Sequence, residues 1–113
     1  MLLAAGLFFA GCENDDDEFD HDAPSGQGTV IVNNLTSESL AVYISGIRQD
    51  KNTDSDDYEW YDRDPGRYSV TLNGRDSNRS WFGRIEVLEG RQTILDVYGG
   101  YIASFDVNVR LND

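Results

Sequence analysis

A chain of 113 residues with 21 acidic and nine basic side chains, a net charge of −12, one cysteine and one histidine excludes several classes of function at once. It lacks the basic excess that binds nucleic-acid phosphates or anionic headgroups. A lone cysteine permits no internal disulfide, and His21, set in an acidic stretch, leaves no Ser-His-Asp, Cys-His or Cys/His zinc set for the rest of the chain.

The chain opens with an unbroken small-and-apolar run, Met1 to Gly11, ending at Cys12. Eleven residues are too few to cross a bilayer as a helix, which takes about 20, but suit the apolar part of a secretory signal. No Lys or Arg precedes the run. Directly after Cys12 comes an acidic tract, and seven of the 21 acids fall within residues 13–22. Such a block stays solvated, which favours an exported leader over a buried N-terminal segment with an incidental core cysteine.

Phe9-Ala10-Gly11-Cys12 resembles the lipobox of bacterial lipoproteins, with Phe9 in the place of the usual leucine. The resemblance implies cleavage before Cys12, a diacylglycerol thioether and an N-acyl chain on that cysteine, and anchoring at the outer membrane, facing either the periplasm or the exterior. Two or more acyl chains make such attachment stable. Glu13-Asn14-Asp15-Asp16-Asp17-Glu18 is similar to the acidic export signal of surface lipoproteins in some Gram-negative lineages. Its plainer reading is a self-repelling spacer. The expected division is a signal peptide over 1–11, a lipidated cysteine and disordered acidic linker over 12–27, and one domain over 28–113.

That domain reads as strands between turns. Gly28–Asn33 is a β-branched run, and Leu40–Ser45 a second, ended by Gly46. Tyr58–Tyr61 is short and aromatic, and closes at the turn signal Asp64-Pro65-Gly66. Arg67–Leu72 alternates, with Tyr68, Val70 and Leu72 on one face. Trp81–Leu88 and Gln92–Tyr98 follow, and Gly99-Gly100 has the spacing of a two-residue hairpin loop. Phe105–Leu111 alternates over seven residues, which predicts that Phe105, Val107, Val109 and Leu111 all face the core. No window has a helical apolar period. The expectation is all-β: a small seven-stranded antiparallel β-sandwich.

Gly28-Thr29-Val30-Ile31-Val32, Val42-Tyr43-Ile44-Ser45-Gly46, Pro65-Gly66-Arg67-Tyr68-Ser69-Val70 and Ile85-Glu86-Val87 with Gly90 together resemble a PEGA-type domain, and the third element also recurs in transthyretin-like sandwiches. The resemblance covers roughly residues 28–97. It implies a sandwich fold and a non-enzymatic surface or adaptor module.

Two constellations remain. Asp50, Asn52, Asp54 and Asp56 have the 1-3-5-7 oxygen spacing of a calcium loop, but Ser55 and Tyr61 stand where glycine and a bidentate glutamate are needed. No bound metal or other cofactor is expected, and the segment reads as an acidic loop. Trp60 and Trp81 are candidates for stacking on a sugar, against the competing role of rings filling a small core. The 14 acids outside residues 13–22 lie mainly in turns and on polar strand phases, which suits a solvated face better than the carboxylate pair of a glycosidase. The chain is therefore read as a non-catalytic, lipid-anchored envelope lipoprotein, a binding or structural module that meets the membrane through its lipid and a glycan or envelope protein through its domain. The alternatives are a glycan-binding surface lipoprotein using Trp60 and Trp81, and a calcium-stabilised adhesion-type module.

Overall fold

A computed structural model of the chain describes residues 19–101 and 103–112; the leader, Cys12 and the first part of the acidic tract lie outside them. The described chain is all-β, with no helix. Its strands are β1 (Gly28–Asn34), β2 (Leu40–Ile44), β3 (Ile47–Arg48), β4 (Tyr58–Arg63), β5 (Gly66–Gly74), β6 (Ser80–Val87), β7 (Gln92–Tyr101) and β8 (Ser104–Asn112).

The strands make one mixed sheet in the order β3-β2-β5-β6-β8-β7-β1-β4. At the centre of that order β6 meets β8 through a single parallel pair, Ser80 with Ser104. The sheet therefore curls there, and its halves, β3-β2-β5-β6 and β8-β7-β1-β4, face each other across a common core. From the first half come Leu40, Val42, Ile44, Val70, Leu72, Ile85 and Val87; from the second, Val30, Val32, Tyr61, Leu95, Val97 and Phe105. Alternation explains the choice: successive strand residues point to opposite faces, and these positions share the inward phase.

The seven-stranded antiparallel expectation needs two corrections. An eighth strand, β3, pairs with β2 across the two-residue turn Ser45-Gly46. Two residues are too few to carry a periodic signal. Moreover, β1 pairs with β7 in parallel, Thr29 opposite Gln92 through Asn34 opposite Val97. That makes β1 an interior strand, with β4 antiparallel on its other side. Its near-continuous apolar run suits burial on both faces.

The hairpin expected at Gly99-Gly100 is also displaced. β7 continues to Tyr101, which pairs with Ser104, and the register shifts between Tyr98 and Tyr101. Gly100 sits in that bulge at φ +63°, and a Cβ there would come 2.5 Å from the Ser104 carbonyl oxygen. Glycine therefore serves a bulge and a close backbone approach, not the loop itself.

In β8 the alternation is real but only half of it is covered. Phe105 is buried and Val107 packs against the core, whereas Val109 and Leu111 are 44% and 46% exposed. Having parted from β6 after Ser104, β8 carries its last inward-phase residues to an open edge beside Leu88.

Candidate functional site

The linker expected over 12–27 is ordered against the sheet from Phe19 onward. Phe19, 7% exposed, packs on Ile31 and Ile94 of the outer face of β1 and β7, and meets Tyr58 edge to face at 4.7 Å. Gln92 Nε2 donates to the carbonyls of Phe19 and His21 at 2.8 and 3.0 Å. His21, expected to lie far from any ordered site, stacks on Trp60 at 4.6 Å. Its Nε2 is 2.8 and 3.0 Å from the two Asp62 oxygens, and Thr29 Oγ1 donates to the same carboxylate at 2.7 Å. The carboxylate stands between hydroxyl and imidazole, so this is not the order in which a histidine activates a nucleophile. A signal for this strap exists in the sequence: Phe19 is the one aromatic in the acidic tract, and a solvated spacer has no use for it.

The two tryptophans are not brought together. Trp60 is on the outer phase of β4, 37% exposed, with His21 stacked on it and Lys51 Nζ 5.6 Å from its ring centroid. Trp81 is on the inward phase of β6, half-buried against the core and laid over Gly83. They sit on different halves and share no platform.

The acidic loop does not converge either. Asn52 Oδ1 accepts from Arg48 Nη2 at 3.0 Å, and Asp54 Oδ1 accepts from Ser39 Oγ at 3.1 Å. Asp50 and Asp56 are exposed. Among the described residues no three acidic, histidine or cysteine side chains are grouped to hold a metal ion. Two carboxylates that sequence reasoning passed over are instead built into the fold. Glu38 is buried and accepts from Asp76 N and Ser77 Oγ, with Arg79 Nη1 at 3.6 Å. Asp96 accepts from Asn33 Nδ2 at 2.8 Å and from Arg110 Nε at 2.6 Å. Burial alone would raise the Asp96 carboxyl; the Arg110 guanidinium and the Asn33 amide outweigh it and hold it below its ordinary value. Burial pushes the Tyr61 phenol above its own.

A cavity of about 490 Å³ opens where the β2–β3 hairpin meets the end of β4, between the two halves of the sheet. Ile44, Ile47 and the Tyr68 ring form its apolar wall, and Arg48, Asp50 and Arg63 also line it. A second hollow of about 270 Å³ continues past Gln49 and Arg63 to Trp60. Gln49 Oε1 accepts from Arg63 Nη2 at 2.7 Å, while Arg63 Nη1 donates to the Asp62 carbonyl at 2.7 Å. The Tyr68 hydroxyl donates to the Asp64 carbonyl at 2.6 Å, which fixes the ring. A concave site with an apolar wall and a few aimed donors is suited to holding a small polar ligand by position alone. No protein-family model and no curated protein matches the chain.

Proposed function

We propose that the protein is a lipid-anchored envelope lipoprotein and that its domain is a non-catalytic binding module. The observation that carries this reading is Cys12 at the end of an apolar run, in Phe9-Ala10-Gly11-Cys12 directly before an acidic tract. The structure adds a length argument. Phe19 is seated on the sheet, so only residues 13–18 separate Cys12 from the folded body, a reach of at most about 25 Å. A lipid at Cys12 holds the domain close to the bilayer. The PEGA-like strand motifs and the ligand-sized cleft support a binding or structural role.

Mass spectrometry of the membrane-extracted protein should find acyl chains on Cys12, and Cys12→Ser should move the protein into the soluble fraction. An unacylated wild-type cysteine, with the variant still in membranes, would overturn the reading.

A further inference from the structure

We infer that the cleft between the β2–β3 hairpin and the end of β4 binds a carboxylated saccharide, its carboxylates held by Arg48 and Arg63 and a sugar ring laid against Tyr68 and Ile47. This rests on the binding-module reading above and names the ligand class for it.

The charge pattern carries the argument. Lys51 meets Glu59, Arg79 meets Glu38 and Arg110 meets Asp96, whereas Arg48, Arg63, Arg67, Arg75 and Arg84 make no ion pair among the described residues. Of these five, Arg48 and Arg63 line the cavity. Each is instead held by a neutral side-chain oxygen, of Asn52 and Gln49 respectively. Gln49 is itself fixed, its Nε2 donating to the Ile47 carbonyl at 3.0 Å and its backbone N–H to the Val42 carbonyl at 2.8 Å. An amide oxygen orients a guanidinium without neutralising it. Two oriented cations thus border a ligand-sized cavity in a chain of net charge −12. The cavity's one carboxylate, Asp50, pairs with neither and can accept a sugar hydroxyl.

Guanidinium groups match carboxylates through paired N–H donors. The apolar wall distinguishes a sugar from a simple anion: Ile47 is two-thirds exposed and Tyr68 is immobilised by its own hydrogen bond, so a pyranose face can cover both.

Calorimetric titration of the full chain in detergent with a galacturonate hexamer tests this, beside a neutral galactose hexamer and a hexaglutamate peptide. The uronate should bind saturably and weaken as salt rises. Arg63→Gln and Arg48→Gln should each weaken it about tenfold or more, with unchanged circular dichroism. Arg48 is exposed, so its variant decides the matter should Arg63→Gln fail to fold. Absence of uronate binding, equal binding by a folded Arg48→Gln variant, or equal binding of the neutral hexamer overturns the proposal. Equal affinity for hexaglutamate overturns the saccharide assignment. Acylated protein that ignores uronate refutes the cleft alone; uronate binding by protein without acyl chains refutes the anchor alone.

Discussion

Asn34 is fully buried and all of its amide is used. Its Nδ2 donates to the carbonyls of Glu38 and Thr53, and its Oδ1 accepts from the Thr36 backbone N–H and hydroxyl. It ties the end of β1 to the loop before β2 and to Thr53, which exchanges backbone hydrogen bonds with Leu40 at the start of β2. Asn34→Ala should cost about 2–4 kcal/mol in urea unfolding, from several lost hydrogen bonds at a buried site. Asn34→Asp should cost at least as much despite its equal size, because it turns a charged acceptor toward two carbonyls. A milder effect from Asp than from Ala would contradict the bonding pattern. Asp96 gives the pH counterpart. Its carboxyl is held low in the folded chain, so the folded state binds fewer protons than the unfolded one between the two values. Its contribution is fully present above about pH 4, the ordinary carboxyl range, and is lost as pH falls through the lower folded value. Stability measured from pH 7 to pH 2 should therefore fall less steeply in Asp96→Asn than in the wild type.

At the scale of the element, β8 separates alternation from burial. Val107→Asp should unfold the domain, since an unpaired charge against the core costs several kcal/mol of a total near 5–15. Val109→Asp and Leu111→Asp should melt within a few degrees of wild type, because both side chains stand at the open edge. Asn108, exposed and of the opposite phase, is not neutral ground either. It faces Asp96 across the ladder and hydrogen-bonds its carboxylate. Asn108→Asp should cost about 0.5–1 kcal/mol by setting like charges side by side. On β6, Gly83 lies beneath the Trp81 ring, where a Cβ would be 2.4 Å from Cζ2 and Cη2. Gly83→Ala must push the ring off its seat, at a cost of about 1–3 kcal/mol in thermal unfolding.

Across the whole molecule, the two tryptophans report on its two layers. Trp81→Ala opens the common core and should cost about 3–5 kcal/mol. Trp60→Ala leaves that core intact and should cost less, freeing His21 from its stack. The strap is itself part of the folded unit. A chain beginning at Gly28 uncovers Ile31, Ile94 and Tyr58, and should be less stable than one beginning at Phe19 by about 1.5–3 kcal/mol, the worth of one buried phenylalanine. Equal denaturant midpoints for the two chains would show that the strap contributes nothing.

Read as a sequence, the chain determined its all-β class, the location of seven of its strands and the inward phase of β5 and of the start of β8, because a period of two and a turn residue are local properties. Phe105 and Val107 were legible for that reason. What sequence could not decide is which inward-phase residue meets a partner across the molecule. Val109 and Leu111 keep the phase and lose the cover, since β8 leaves β6 after one pair. Parallel pairing of β1 with β7 joins residues more than 60 positions apart, and no local pattern encodes it. The same holds for the site. Trp60 and Trp81 stood out by residue type, but strand phase and sheet curl sent them to different layers. His21 was set aside with its acidic neighbours, and only the sheet face formed by Ile31, Ile94, Trp60 and Asp62 gives it a place. The cleft arises from the end of β4 meeting a two-residue strand. Its arginines become a pair through tertiary proximity alone.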